Sequence, residues 1–444
     1  MTRALFVSAG LLSAKKRDSP VNRLNRYLNY SFLSLATQVA LGGHHVEVVH
    51  GGYNPPEVKA LGLEHNAFDV LLISLPSSYS VGWAERFLRT YRDGGWRGPT
   101  LVGGRWVVDG RSGWIRSRLG DVLVVEGLGE DFIGRYFRVA GQIPRDPDYR
   151  LMTDFVDFQP SVEVARGCGL GCNFCVEAGV SRQWVRSGTD AAAEMARLST
   201  LYGDMKIQPF VEASLFNPSL EWSTDFARAY ANLQLHVPWR AETRVDVLRA
   251  DVLSVLYDAG LRVLDLGLES ASHPVLSAMQ KTRNPARYLA RAAETLALCA
   301  DIGIAVKLNI VIFAGEDRGS LGVTRDWLRQ HAGGFQGISV NPVSFYPVGA
   351  ANALPGQWSA LGARLVDSAA LERDGIGLIH PSPSLSRTDA VEYGLELARE
   401  FMTMNNYFDL KKFGYFPPSL DFPTYRQAVK RSDPHDLPFL VDPD

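Results

Sequence analysis

The sequence predicts two α/β domains in tandem, a doubly wound parallel sheet followed by an open, partial barrel. Two runs of alternating strand and helix patterns carry this reading, and in the first run glycines follow the strands. Gly141 to Pro160, a Pro- and Asp-bearing stretch without periodicity, separates them as a linker.

The first domain is expected over residues 1–140. Ala4–Ser8 is an apolar strand ending at Ala9-Gly10, a helix is expected over Tyr30–Leu41, and Val46–Val49 is the second strand. Asp69–Leu75 is apolar throughout, as a parallel strand covered on both faces must be. A helix over Ala84–Tyr91, a strand Thr100–Gly104 ending in paired glycines, and a strand Asp121–Val125 complete a Rossmann-like order.

The second domain is expected over residues 161–348. Candidate strands are Val162–Ala165, Ile207–Val211, Trp239–Arg244, Val263–Leu268, Ala305–Ile312 and Ile338–Phe345. Amphipathic stretches such as Ala250–Ala259 and Ala286–Ala300 lie between them. Six strand–helix units make a partial, TIM-like (β/α)6 barrel, whose chemistry gathers at the strand carboxyl ends. Residues 349–444 form a small extension of helical and irregular character, with a helix over Asp389–Met404. Its aromatics from Tyr407 to Tyr425 are expected either to line or cap a substrate site or to pack against the barrel.

Composition bounds the function. Lys+Arg 46 against Asp+Glu 48 in 444 residues gives a net charge of −2, so no global basic field points to a nucleic-acid partner. No apolar run is long enough for a membrane-spanning helix, and the short, polar-flanked Met1-Thr2-Arg3 start is expected to be a first strand and not a signal peptide. The cytoplasm is the expected compartment. Of the 4 cysteines, Cys168, Cys172 and Cys175 fall together and Cys299 stands apart on the apolar face of a helix, a distribution unlike a disulfide framework.

The segment Ala165-Arg166-Gly167-Cys168-Gly169-Leu170-Gly171-Cys172-Asn173-Phe174-Cys175 places three thiols at C-x3-C-x2-C on one glycine-rich loop after the first barrel strand. Three soft ligands can hold three irons of a [4Fe–4S] cube and leave the fourth open. Alternatively, a remote histidine could complete a closed Cys3His zinc site.

This loop in its barrel context resembles the radical S-adenosylmethionine (SAM) signature. Pro238–Arg244 resembles the third-strand motif of the family branch that carries a cobalamin-binding domain, the class B methyltransferase-like branch. Leu266-Gly267-Leu268-Glu269-Ser270 resembles its "G-x-E-S" motif. Met279-Gln280-Lys281 resembles its "M-N-K", with Gln280 in place of Asn, and Phe313–Asp317 resembles its "P-G-E-T" loop with two departures. Ser74-Leu75, Gly103-Gly104 and Glu126-Gly127-Leu128-Gly129-Glu130 resemble segments of the cobalamin-binding domain. The loop Ala9–Leu24 lacks the D-x-H-x-x-G pattern that gives cobalt a histidine.

The resemblance implies a [4Fe–4S] cluster on Cys168, Cys172 and Cys175, with SAM contacts at Phe174, Glu212, Glu242, Arg244, Gly267, Glu269 and Ser270. It implies cobalamin contacts at Ser74, Leu75, Gly103, Gly104 and Gly127. Side-chain-free Gly103 and Gly104 allow close approach of a macrocycle or simply turn the chain tightly. Glu269 and Ser270 can bond SAM's ribose or amino group, or satisfy each other inside the barrel. Arg244 can fork onto SAM's carboxylate or form an interdomain salt bridge. Glu212 is either an active-site group or a solvated carboxylate. The implied activity is C-methylation of a small molecule, served by a low-potential donor such as flavodoxin or ferredoxin. Alternatives are a radical rearrangement, cyclisation or decarboxylation, and a noncatalytic iron–sulfur or corrinoid sensor. With only Cys299 left over, a second cysteine-ligated cluster is not available.

Overall fold

The computed structural model describes the 444 residues except 14–17, 58–60, 62, 64–66, 108–109, 128, 140–145, 348–352 and 442–444. It separates into a compact unit Met1–Phe158 and a second made of Gln159–Tyr346 and Ala353–Asp444. Among the described residues, no helix is long and apolar enough to cross a membrane.

The first unit is built on β1 (Arg3–Ser8), β2 (His45–His50), β3 (Val70–Ser74), β4 (Thr100–Gly103) and β5 (Leu123–Val124), all parallel in the order β2-β1-β3-β4-β5. Every residue of β3 is buried, which is why that strand reads as an unbroken apolar run. The strand order reverses between β1 and β3, and such a switch point opens a crevice at the carboxyl ends. Helix Tyr30–Leu41 has the expected bounds. The Gly141–Pro160 stretch is more than a linker where it is described. Tyr149 and Met152 are buried, Met152 bridges to Val48 of β2, and Phe158 lies 4.8 Å from the His50 ring. These apolar side chains hold the stretch to the first unit; residues 141–145 of that expected linker lie outside the described residues.

The second unit contains six parallel strands, β6 (Ser161–Arg166), β8 (Phe210–Ala213), β9 (Trp239–Arg244), β10 (Leu261–Glu269), β11 (Ala305–Ile312) and β12 (Gly337–Pro342). The short strand β7 (Gln183–Trp184) pairs antiparallel with β6 at the open edge. β8 starts later than the expected Ile207 because Pro209 has no N–H for the ladder and serves only as acceptor, for Arg240 N–H at 3.1 Å. The expected strand Ile338–Phe345 breaks at Pro342-Val343. Beyond the break, β13 (Ser344–Phe345) joins β14 (Arg364–Leu365) and β15 (Gly377–His380) in a three-stranded antiparallel sheet, so the extension is less purely helical than expected. Its long helix runs Arg387–Phe401 and stops before Thr403, whose side chain caps the next helix, Met404–Lys412.

That last helix and the residues after it seal the amino-terminal end of the barrel. Leu410 and Phe413 pack against Val263 and Ala305, at the starts of β10 and β11, and Gly414 N–H bonds Gln208 O at 3.0 Å. Tyr407, Phe408, Phe416, Phe422 and Tyr425 form one ring cluster behind this plug. The Tyr407–Tyr425 segment therefore packs at the end of the barrel away from the cysteines and does not cap them. At the carboxyl end it is Trp358 that joins Phe313, Phe345 and Met279 in a core reached by Phe174.

Candidate active site

β6 delivers the chain into the cysteine loop at the carboxyl end of the barrel. Gly167 turns at φ +68°, and a Cβ there would lie 2.2 Å from Ser181 O, so no side chain fits. The loop folds onto itself: the N–H groups of Cys168 and Gly169 bond Val180 O at 3.0 and 2.7 Å, and Gly179 N–H bonds Leu170 O at 3.0 Å. Asn173 ties it to the turn after helix His273–Ala278, its backbone N–H reaching Met279 O at 3.1 Å and its side-chain amide Ala278 O at 2.7 Å. Cys172 is buried, Cys168 half-buried and Cys175 at the exposed rim. Desolvation raises the Cys175 thiol, opposed by Glu177 N–H at 3.4 Å and assisted by the neighbouring Cys172 and Cys168 thiols. Among the described residues no three His, Cys, Asp or Glu side chains surround a single point as one metal ion requires. Three thiols spaced along one loop suit a cube, on which each takes a different iron.

Beside the loop stand the carboxyl ends of β9 and β10. Arg244 is engaged by Asp246, to which Nε and one terminal nitrogen donate at 2.9 and 3.1 Å, and by Lys281 O at 2.8 Å. Its fork is thus filled from within its own unit. Glu269 sits at φ +67° and is buried, accepting from Lys281 Nζ at 2.9 Å. A non-glycine residue in that region stores strain, a recurrent mark of functional positions. Gly267 lies beneath this pair; a Cβ there would be 2.6 Å from a Glu269 carboxylate oxygen. Tyr288 donates to the carbonyls of Gly267 and Leu268 at 2.9 and 3.1 Å, and burial raises its hydroxyl pKa well above normal, with Glu269 adding to the effect. Cys172, Arg244 and Tyr288 are close enough to influence one another's charge.

The other expected SAM residues divide. Phe174 meets Phe313 edge-on at 6.3 Å. Ser270 is fully buried and bonded to Thr324 at 3.2 Å and to Ser272 N–H at 3.1 Å, so its hydroxyl holds the turn together and does not face a ligand. Glu212 accepts from Ser161 at 3.1 Å. Glu242 is ringed by the barrel yet keeps much of its surface uncovered, as a group lining the lumen does. Burial raises its pKa, with Asp265 adding to the effect, and Asn309 donates to it at 3.3 Å. Asp246, Lys281 and Tyr288 are the residues that the sequence reading did not place; the only signal was the Met279-Gln280-Lys281 segment. Glu316, in the Phe313–Asp317 loop, is buried, accepts from Phe313 N–H at 2.8 Å, and is pushed up to about 8 by burial. Cys299 is fully buried, its thiol pushed up to about 12 by burial.

In the first unit, Ser74 and Gly103 are register partners at the ends of β3 and β4. Gly104 follows at φ +110°, and a Cβ there would lie 2.7 Å from both Leu75 N and Ser74 Oγ. Gly127, at φ +72°, donates to Val107 O at 3.3 Å, while Val107 N–H bonds Gly104 O at 2.8 Å, so the three strand-end glycines and Ser74 gather on one rim. Leu75 is fully buried with N–H and C=O both bonded, to Gly103 O and from Trp106 N–H, so it shapes the floor and presents nothing outward. Asn29, which the sequence reading missed, spans the switch point: its amide donates to Ser8 and Ser74 hydroxyls, each at 3.0 Å. Leu128 of the expected motif, and residues 14–17 of the Ala9–Leu24 loop, lie outside the described residues.

A thiol triad on a glycine loop at the mouth of an open parallel barrel defines the class. Residues 162–328 match the model of the Radical SAM superfamily. The chain therefore carries a radical SAM domain. No curated protein matches the sequence. Among solved structures, the radical S-adenosylmethionine methyltransferase TsrM from Kitasatospora setae, with cobalamin and [4Fe-4S] cluster bound, is similar at TM-score 0.66 and 13% identity, over 92% of this chain and 90% of TsrM. TsrM with tryptophan substrate and the SAM analog aza-SAM gives TM-score 0.59 at 15% identity, over 76% and 73%. The cobalamin-dependent S-adenosylmethionine radical enzyme OxsB, with aqua-cobalamin and S-adenosylmethionine bound, gives TM-score 0.59 at 14% identity, over 97% of this chain and 66% of OxsB. The fold is shared with TsrM and OxsB, and the similarity runs through both units.

Proposed function

We propose that the chain is a cobalamin-dependent radical SAM methyltransferase acting on an unactivated carbon of a small molecule. The observation that carries this reading is the occurrence, in one chain, of a three-thiol loop at a barrel mouth and a glycine-rimmed crevice at the switch point of a parallel sheet. When bound, the cluster and SAM supply a carbon-centred radical and cobalamin supplies the methyl group. Cys168, Cys172 and Cys175 hold the cluster. Glu269 and Lys281, buried as a pair, present one carboxylate and one ammonium to SAM's polar end, and Arg244, held by Asp246, positions that pair through its bond to Lys281 O. Phe174, backed by Phe313 and Trp358, keeps water from that side of the mouth. Gly103 and Gly104 leave the rim of the first unit free of side chains, so a flat macrocycle can reach the backbone. A low-potential flavodoxin or ferredoxin delivers the electron.

The test is anaerobic reconstitution with iron, sulfide, cobalamin, SAM and a low-potential reductant. The expected result is 5′-deoxyadenosine together with a protein-bound corrinoid spectrum, the former lost in Cys172→Ala. Persistent 5′-deoxyadenosine in that variant would refute the cluster assignment. A protein that retains no corrinoid would refute the methyl-transfer reading.

A further inference from the structure

Next to the barrel mouth the second unit holds an open pocket of about 530 Å³ lined by Thr282, Arg283, Asn284, Arg287, Tyr288 and Arg291, together with Asp246. That volume lies in the range of small-molecule sites. Its three arginines fall within nine residues of chain. Arg291 has a loose partner, Glu294 at 3.5 Å. Among the described residues no carboxylate pairs with Arg283 or Arg287, and both are exposed. Asp246 adds no free negative charge, since both of its oxygens are taken by Arg244.

For stability alone this is a poor arrangement. Arg287 and Arg291 are one turn apart and repel. Arg287 also stands in the first turn of helix Pro285–Ile302, where the helix dipole disfavours a cation. Arginines kept against those costs around a concave space match an oxyanion, because each guanidinium can meet two phosphate oxygens at once. The cavity also touches the site directly, for Asp246 fixes Arg244 and Tyr288 bonds the carbonyls of Gly267 and Leu268.

We propose that this arginine-lined cavity binds the phosphate end of a phosphorylated small molecule. That the molecule is the substrate rests on the function proposed above; the binding of phosphate does not. The test is calorimetric titration of the full chain, without cluster, SAM or cobalamin, with sodium pyrophosphate as the probe and citrate as a carboxylate comparison. The expected result is saturable one-site binding that weakens as salt rises and is tighter for pyrophosphate than for citrate. Affinity should fall about tenfold or more in Arg283→Gln/Arg287→Gln. Arg287→Lys, which keeps the charge and loses the fork, should fall between, with unchanged thermal melting. No saturable binding by the wild-type chain, equal affinity in the double variant, or citrate preferred to pyrophosphate would overturn the proposal. So would a double variant that binds pyrophosphate normally but loses reduction by an acidic ferredoxin. Pyrophosphate binding in a protein that forms no 5′-deoxyadenosine on reconstitution would leave this site standing and remove the proposed function.

Discussion

Arg240 and Arg244 lie on the same face of β9, with Glu242 between them, and meet opposite surroundings. Arg240, at the amino end, is fully buried, paired with Asp265, bonded to the carbonyls of Leu410 and Phe413, and 4.6 Å from the Tyr415 ring. Lys307 joins the same Asp265 at 3.3 Å. Arg244, at the carboxyl end, keeps partial contact with solvent beside the cysteine loop. The difference lies in what the chain brings to each end: an apolar tail closes one, a glycine- and cysteine-rich loop leaves the other open. Charge inside a barrel is thus no sign of chemistry by itself; at the closed end it is part of the plug.

One substitution made at both ends breaks or sharpens this contrast. Arg240→Lys should lower unfolding stability by about 3 kcal/mol, because two buried carbonyls and Asp265 lose donors that the shorter fork-less side chain cannot replace. The urea midpoint reads it, and a change near zero would mean that the tail does not depend on Arg240. Gly104→Ala extends the comparison to the first unit. The strained φ and the 2.7 Å approach to Leu75 N should cost about 1–3 kcal/mol. Corrinoid retention should fall with it, while 5′-deoxyadenosine formation stays. Arg244→Lys should leave the urea midpoint nearly unmoved and slow SAM cleavage about tenfold through loss of the fork held by Asp246. Equal stability losses at 240 and 244 would erase the distinction between the two ends.

The smallest effect concerns Glu316, also at the carboxyl end. Folding raises its pKa to about 8, so the folded chain keeps a proton that the unfolded chain releases near the ordinary value of 4.5. The folded state then binds more protons between those values, and stability falls as pH rises from 4.5 through 8. Glu316→Gln should flatten that part of the melting-temperature profile. An unchanged slope would show that Glu316 is ionised in the folded protein.

Much of this was legible locally. β9 and β11 have the bounds that their alternation implies, and the thiol loop stands out by spacing alone. What was hidden is long-range. Nothing in the sequence near Arg240 announces that Leu410 will accept its hydrogen bond across a separation of 170 residues, so the tail's aromatics were open to a role at the wrong end. The sequence offers the fork of Arg244 either SAM's carboxylate or a distant salt bridge, because Asp246, two residues on, gives no local sign that it turns back. The sequence leaves Ser270 open between a SAM contact and a polar group satisfied inside the barrel, because its partner, Thr324, comes from a helix 54 residues away. Lys281 carried a signal in its motif, but only the fold shows that it is buried against Glu269.

The central claim is that three thiolates on one loop leave an iron able to take SAM. Electron paramagnetic resonance of the reconstituted, dithionite-reduced protein tests it most directly. The account predicts a [4Fe–4S]+ signal that changes shape when SAM is added and is absent in Cys172→Ala. A signal indifferent to SAM, or a reconstituted metal that accepts no electron, would contradict it.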